Sequence, residues 1–250
     1  MASWASRLTG RQFDAAIIDL DGTLVDTLDD FVAALNRMLA ELKLPGSPQV
    51  SRGVVERMVG KGSEHLVSSV LKHLVAQYPQ GQSAIDTGAD AGDAALAQAL
   101  ESFQKHYAAA NGQKAQVYPG VLQGLRSLQQ SGLKLACLTN KPLAFAEALL
   151  EMKSLRGFFA CVYGGDSFDR KKPDPLPVIK TCEVLGTSPS RTLMIGDSSN
   201  DAQAARAAGC PVVLVKYGYN HGQAISTVDA DGFIDSLAEL SSKNDPETPA

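Results

Sequence analysis

Two carboxylates stand two positions apart in the segment DLDGTLVDT, where Asp19 and Asp21 end an apolar run. Side chains two positions apart in an extended segment point to the same side, and Gly22 then allows a sharp turn. Carboxylates held this close repel each other unless a cation or a shared proton neutralises them, and Mg²⁺ prefers such oxygen ligands. One carboxylate could attack phosphorus while the other transfers a proton. A capped turn, which also favours Asp and Gly, is the alternative.

Two further segments offer groups that bind phosphate. Thr139 and Asn140 lie in LTNKP, where a hydroxyl and nearby backbone N–H groups can hold phosphate oxygens. The same residues also suit an ordinary helix start. Lys172 lies in RKKPDP, and its ammonium could neutralise charge on a transferring phosphoryl group. A solvated loop lysine is the alternative reading of Lys172.

The segment GDSSNDAQAARAAG contributes two more aspartates. Asp197 could supply another oxygen to a metal ion. Asp201 follows four positions later, one turn along a helix, and could orient Lys172. Helix capping by Ser198 or Asn200 explains the same segment without chemistry, and both interpretations can hold together.

Short apolar runs predict the elements that position these side chains. The runs are residues 15–20 (AAIIDL), 133–138 (LKLACL), 192–195 (TLMI) and 211–215 (PVVLV). Helical patterns separate them, which predicts an α/β fold: a Rossmann-like parallel sheet with helices on both faces. Ligands of such sheets bind beyond the carboxyl ends of the strands. Asp19, Thr139 and Asp197 all stand at such ends.

A different pattern follows the first strand. Apolar residues recur at helical spacing over residues 28–42, 54–78 and 94–107, whereas residues 84–93 (AIDTGADAGD) favour a loop. We therefore predict an all-helical cap at residues 27–110, inserted into a catalytic core of residues 11–26 and 111–240. An ordinary helical stretch of a single domain is the alternative. The polar segment 241–250 predicts a disordered tail.

Bulk properties restrict the class of protein. The net charge of -4 and the lack of a clustered basic segment argue against a nucleic-acid partner. No stretch approaches the ~20 apolar residues of a membrane helix, so we expect no membrane partner. The four cysteines are widely spaced and form no CxxC pair. Reduced thiols in a cytoplasmic protein are therefore expected.

The ordered set of motifs resembles the haloacid dehalogenase superfamily. DxDGT, a later Thr after a strand, Lys-Pro and GDxxxD occur in that order across residues 15–201. The resemblance implies roles for residues in the chain as follows: Asp19 as nucleophile, Asp21 as acid/base, Thr139 as phosphate ligand, Lys172 as charge-stabilising lysine, and Asp197 as metal ligand. It implies Mg²⁺ as cofactor, bound by Asp19, Asp197 and the backbone carbonyl of Asp21. Dehalogenases lack the second aspartate, so Asp21 argues against dehalogenation.

Further segments resemble one group within that superfamily, the bacterial phosphoglycolate phosphatases. They are LVDT, MVGKG, YPGV, LTNKP, GGDSFDRKKPDP and KYGYNHG. The resemblance implies hydrolysis of 2-phosphoglycolate to glycolate and phosphate through an aspartyl-phosphate. The oligomeric state stays open between a monomer and a homodimer. Lys61, between two glycines, is a candidate to bind the substrate carboxylate, or else a solvated lysine in a turn. Another small-metabolite phosphatase, a phosphomutase, or a phosphate-binding regulatory protein are the alternative functions.

Overall fold

Eight strands in the described part of the chain form two sheets. The computed structural model describes residues 11–44, 46–77 and 89–240. In chain order the strands are β1 (Ala15–Ile18), β2 (Val25–Asp26), β3 (Gln116–Val117), β4 (Lys134–Leu138), β5 (Cys161–Tyr163), β6 (Thr192–Gly196), β7 (Val212–Val215) and β8 (Gly232–Ile234). Six of them form the main sheet in the order β5-β4-β1-β6-β7-β8, and every neighbouring pair is parallel.

Helices cover both faces of the main sheet. In chain order the α-helices are α1 (Leu28–Glu41), α2 (Arg52–Glu56), α3 (Ser63–Gln77), α4 (Ala89–Ala110), α5 (Val121–Gln130), α6 (Leu143–Met152), α7 (Leu176–Leu185) and α8 (Ser199–Ala208). Ala16 and Ile18 of β1 pack with α5 and α6, while Ile17 packs with α7 and α8. The strand alternates between two apolar layers, so nearly all of it is hydrophobic. The predicted α/β fold is confirmed, and β5 and β8 extend the predicted sheet.

Helices α1 to α4 lie between β2 and β3 and share a separate buried cluster. Phe31, Phe103 and Tyr107 stack at its centre, with ring centroids 4.8 and 5.4 Å apart. The two short strands pair antiparallel, with Val25 opposite Val117, at the entry to and exit from this helical segment. Strands of two residues carry no detectable alternation, which explains why the sequence did not predict them.

Two details of the helical segment differ from the sequence-based expectations. The pattern over residues 54–78 is interrupted after α2, where Gly60 and Gly62 have φ of 105° and 91° before α3 begins. The loop predicted at residues 84–93 is wrong from Ala89 onward, because α4 begins there. Alanines favour a helix, and Asp93 suits its first turns. Residues 84–88 and 241–250 lie outside the described residues.

No helix in the described ranges is long and apolar enough to cross a membrane.

Candidate active site

The carboxyl ends of three neighbouring strands bring the predicted aspartates and Thr139 together. Ile18 of β1 lies level with Cys137 of β4 and with Ile195 of β6. The chain leaves these strands at Asp19, Thr139 and Asp197, and all three residues are buried. Parallel strands end at the same edge of a sheet, so side chains far apart in sequence converge there.

Lys172 connects two of the aspartates. Its Nζ donates hydrogen bonds to Asp19 Oδ1 at 2.7 Å, to Asp201 Oδ1 at 2.7 Å and to the carbonyl of Leu138 at 2.6 Å. Burial lowers the pKa of Lys172, but the Asp19 and Asp201 carboxylates outweigh burial, so the pKa is raised and the ammonium stays charged. All three protons of the ammonium are used, which fixes its position beside Asp19.

Burial sets the acidity of the nucleophile candidate. Burial, together with the nearby Asp201 carboxylate, raises the pKa of Asp19 to about 7 against the opposite effect of Lys172. Burial also raises the pKa of Asp197 well above its ordinary value, again with contributions from Asp201 and Asp19. The carboxylates at this site are therefore crowded and short of positive charge.

Local hydrogen bonds orient Asp197. Thr23 Oγ1 donates to Asp197 Oδ1 at 3.1 Å, and the backbone N–H of Tyr219 donates to Oδ2 at 2.6 Å. Gly22 packs directly against this carboxylate with φ of 88°, and a Cβ there would overlap the Asp197 side chain. The turn after β1 therefore requires glycine both for its backbone conformation and for this close approach.

Asp201 combines the two interpretations of its segment. Its Oδ2 accepts hydrogen bonds from Ser198 Oγ at 2.7 Å and from the Ser198 backbone N–H at 3.1 Å, which forms a capping box at the start of α8. Its Oδ1 accepts the bond from Lys172. Both oxygens are thus occupied, which suits orientation of Lys172 and leaves little capacity to bind a metal directly.

The side chain of Asp21 pairs with a different lysine from the one that contacts Asp19. Lys141 Nζ donates to Asp21 Oδ1 at 3.0 Å and to Oδ2 at 3.2 Å, and Thr27 Oγ1 donates to Oδ1 at 2.8 Å. The Lys141 ammonium also lies 4.7 Å from the ring centroids of Phe31 and Tyr107. The Asp21 carboxylate is therefore held toward the helices over the site.

Thr139 and Asn140 occupy the loop after β4. The backbone N–H of Lys141 donates to Thr139 Oγ1 at 3.2 Å, which turns the hydroxyl toward the loop. Asn140 Nδ2 donates to the carbonyls of Gly60 at 3.0 Å and Lys172 at 2.8 Å. Asn140 thus connects the α2–α3 loop with the loop before α7 that carries Lys172. Its contact with the substrate stays a prediction.

A cavity of about 30 Å³ lies among these side chains. Its walls include Asp19, Asp21, Tyr107 and Lys141, together with Gly60 and Gly62 of the α2–α3 loop. A water molecule requires about 10–15 Å³ of such a volume, so the cavity is small. Lys61 is exposed and lines a wide groove outside this cavity.

Comparison with known proteins places the chain in a family. A family model described as haloacid dehalogenase-like hydrolase matches residues 16–215. The chain belongs to the haloacid dehalogenase-like hydrolases. This confirms the resemblance that the ordered motifs indicated, and it identifies the chain as a member of a family of hydrolases.

Relatives and solved structures agree with this assignment. A phosphoglycolate phosphatase from Thiobacillus denitrificans is 41% identical over 225 residues, which cover 90% of this chain and 92% of the relative. A plasmid-encoded phosphoglycolate phosphatase from Cupriavidus necator is 42% identical over 226 residues, 90% of each chain. A crystal structure described as a predicted phosphoglycolate phosphatase from Haemophilus somnus 129PT has a TM-score of 0.83 and 30% identity, covering 92% of this chain and 97% of that one.

The donor set of this hydrolase fits a divalent cation. Carboxylate oxygens of Asp19, Asp197 and Asp201 lie within 4.8 Å of one another, and all three residues are buried. Within the described part of the chain, Lys172 contacts this cluster through its hydrogen bonds to Asp19 and Asp201. Three carboxylates beside one ammonium leave an excess of negative charge, which a bound cation would offset.

Three residues that line the cavity were not predicted from the sequence. Lys141 stands next to Asn140 in LTNKP, Tyr107 ends the apolar pattern of α4, and Tyr219 lies in KYGYNHG. Tyr219 connects the ends of β6 and β2, since its backbone N–H donates to Asp197 and its hydroxyl donates to Asp26 at 2.6 Å. The distinctive KYGYNHG segment was the one available signal for Tyr219.

Proposed function

We propose that this protein is a Mg²⁺-dependent phosphatase that hydrolyses 2-phosphoglycolate through an aspartyl-phosphate on Asp19. The observation that carries the proposal is the position of Asp19 at the end of β1. One of its oxygens is bonded to Lys172, and the carboxylates of Asp197 and Asp201 stand within 4.8 Å. This arrangement provides a fixed carboxylate nucleophile and a charged environment for a transferring phosphoryl group.

Asp19 forms the new bond in the first step. Its free oxygen attacks phosphorus, the bond from phosphorus to the leaving oxygen breaks, and an acyl phosphate results. The Lys172 ammonium stays beside Asp19 and stabilises the negative charge of the phosphoryl group. Thr139 and nearby backbone N–H groups are proposed to hold the phosphoryl oxygens.

Asp21 is proposed to move protons in both steps. As a carboxylic acid it protonates the leaving oxygen, and as a carboxylate it then takes a proton from the water that attacks the acyl phosphate. Its hydrogen bonds to Thr27 and Lys141 hold it on the side of the cavity that the helices cover. A proton donor in this position serves the leaving group and not the phosphoryl group.

The metal is assigned to Asp19, Asp197 and the backbone carbonyl of Asp21. Mg²⁺ bound there supplies positive charge that lets an anionic ester approach an anionic nucleophile. Asp201 is assigned a supporting role, because its oxygens already bond Lys172 and the start of α8.

The small substrate is inferred from the relatives and from the covered cavity. The relatives from Thiobacillus denitrificans and Cupriavidus necator are both named phosphoglycolate phosphatase. We assign residues 27–110 as a cap that closes over the leaving group, with Gly60 in contact with Asn140 and Asn200 of the core. Lys61 is assigned to the rim of the entrance. We further propose a cytoplasmic enzyme, to which the four free cysteines are suited.

Steady-state kinetics on a panel of phosphate monoesters tests the proposal. The panel contains 2-phosphoglycolate, hexose phosphates, glycerol phosphate and p-nitrophenyl phosphate, each with Mg²⁺. We expect the highest kcat/KM for 2-phosphoglycolate. A higher value for a sugar phosphate would instead favour the alternative of another small-metabolite phosphatase, and interconversion of sugar phosphates without release of phosphate would favour a mutase.

A further inference from the structure

Lys141 is a buried cation that faces the cavity, and the proposed steps use it only to hold Asp21 in position. Its side chain is 1% exposed. The ammonium donates to both oxygens of Asp21, at 3.0 and 3.2 Å, and lines the same cavity as Asp19. Burying an ammonium is costly unless its partners compensate, so a lysine at this position requires a reason.

The helices over the site surround this ammonium with aromatic rings. Lys141 Nζ lies 4.7 Å from the ring centroids of Phe31 and of Tyr107, and the two rings stack on each other at 4.8 Å. The faces of aromatic rings attract cations, so α1 and α4 fix the ammonium where it stands. Among the described residues, the carboxylate that pairs with Lys141 is that of Asp21, the proposed acid/base.

Tyr107 adds a second donor at the same place. Its hydroxyl oxygen accepts a hydrogen bond from Lys141 Nζ at 2.5 Å. Within the described ranges no hydrogen-bond acceptor is found for the hydroxyl proton of Tyr107, although the residue is 1% exposed. Burial raises the pKa of Tyr107 well above its ordinary value, so the proton stays on the oxygen. An unpartnered donor therefore lies beside a buried ammonium in the wall of the cavity.

We propose that Lys141 and Tyr107 bind the carboxylate of the substrate and so determine specificity. This inference rests on the proposed function, in which Asp21 protonates the leaving oxygen. Groups clustered around Asp21 then face the leaving group, which in 2-phosphoglycolate ends in a carboxylate. One oxygen of that carboxylate accepts from the Lys141 ammonium, in place of one of its two bonds to Asp21, and the other accepts from the Tyr107 hydroxyl. Substrates without an anionic group gain no charge-assisted bond from Lys141 and leave the Tyr107 hydroxyl proton without an acceptor.

Lys61, the cation that the sequence suggested for this role, has the opposite environment. It is exposed and lines the open groove, whereas Lys141 is buried among aromatic rings. Water and salt weaken the attraction of an exposed charge, but they have little effect on a buried one. Strong discrimination between small substrates is therefore expected from Lys141.

The test compares two substrates that differ only in this charge. 2-Phosphoglycolate carries the carboxylate, and phosphoglycolamide replaces it with a neutral amide of the same shape. The quantity to measure is the ratio of kcat/KM for the two esters. If a Lys141 variant also weakens proton transfer by Asp21, kcat/KM falls by the same factor for both esters, and this effect cancels in the ratio. The variants are Lys141→Met, Lys141→Arg and Tyr107→Phe, with Lys134→Met at the opposite end of β4 as the matched control.

We expect Lys141→Met to lower the ratio by about 10- to 100-fold and Tyr107→Phe by roughly tenfold or less, the range of single hydrogen bonds to a charged group. Lys141→Arg keeps the charge and should retain part of the preference, and Lys134→Met should leave the ratio unchanged. If Lys141→Met fails to fold, Tyr107→Phe still tests the inference.

Two outcomes separate this inference from the function on which it rests. If the wild-type enzyme prefers 2-phosphoglycolate but neither Lys141→Met nor Tyr107→Phe lowers the ratio, the inference is wrong and the proposed function stands. If the wild-type enzyme shows no preference for 2-phosphoglycolate over the amide and the other esters, both are wrong.

Discussion

Lys172 donates a hydrogen bond to Asp19 at 2.7 Å across a separation of 153 positions in the chain. The bond brings the loop before α7 against the end of β1. Asp201 accepts a second bond from the same ammonium, also at 2.7 Å. The fold thus connects Asp19, the proposed nucleophile, to Lys172, and Lys172 to Asp201, which orients the ammonium.

Removal of the ammonium should therefore abolish most of the activity. We expect Lys172→Met to lower kcat by about 10²–10³-fold, the loss typical of one preorganised electrostatic group. Lys171→Met is the matched control, since Lys171 is the adjacent lysine but is exposed; its kcat should stay close to that of the wild type. Equal losses in the two variants would contradict the assignment of Lys172.

The acid role of Asp21 predicts a dependence on the leaving group. Asp21→Asn should slow formation of the acyl phosphate from 2-phosphoglycolate by about 10²–10⁴-fold, because proton transfer contributes on that scale. p-Nitrophenolate leaves without a proton, so the burst with p-nitrophenyl phosphate should be much less affected. The measurement is the pre-steady-state burst rate with each ester. Equal slowing of both bursts would argue that Asp21 does not protonate the leaving oxygen.

Excess negative charge at the aspartate cluster predicts a metal requirement. Chelation should abolish activity, Mg²⁺ should restore it, and Ca²⁺ should not, because Ca²⁺ prefers more ligands at longer distances. Mg²⁺ should also raise the Tm of the wild-type protein, since it binds the folded state.

Asp197→Asn provides a readout of the metal site that does not depend on activity. This variant should lose most of the Mg²⁺-induced rise in Tm, because it loses a proposed metal ligand. Asp14→Asn changes an exposed aspartate that pairs with Arg191, remote from the cluster, and should keep the rise. An unchanged Tm response in Asp197→Asn would remove Asp197 from the metal site.

Lys61 should contribute through long-range attraction. Because it is exposed on the rim of the groove, we expect Lys61→Ala to lower kcat/KM for 2-phosphoglycolate by less than about fivefold, in line with exposed charges. The loss should shrink as salt is added. A large loss that persists at high salt and is confined to carboxylate substrates would instead support the direct contact that the sequence suggested.

The sequence predicted the core of the fold because its strands are buried on both faces. Continuous apolar runs predicted β1, β4, β6 and β7. Asp19, Thr139 and Asp197 became site candidates because they are the polar residues that follow three of these strands. Strands of two or three residues, such as β2 and β8, are too short to show a pattern. The start of α4 was missed because Gly and Asp also favour loops.

The contacts between the site and the helices that cover it could not be predicted in the same way. Lys141 and Tyr107 touch across 34 positions, from a loop and a helix with no common periodicity. A lysine before proline gives no indication of whether it is buried. For Lys61, the flanking glycines indicated a turn but not the direction of its side chain. Such contacts depend on how the helices pack over the sheet, which local patterns do not encode.

The central claim is that phosphate is transferred to Asp19. Enzyme mixed with 2-phosphoglycolate and Mg²⁺, quenched in acid during turnover and reduced with borohydride, converts an aspartyl phosphate to homoserine, which peptide mass spectrometry can locate. We predict this conversion at position 19, and no conversion in Asp19→Asn, whose turnover should fall by several orders of magnitude. Conversion at another aspartate, or an Asp19→Asn variant that keeps a tenth of the wild-type activity, would contradict the account.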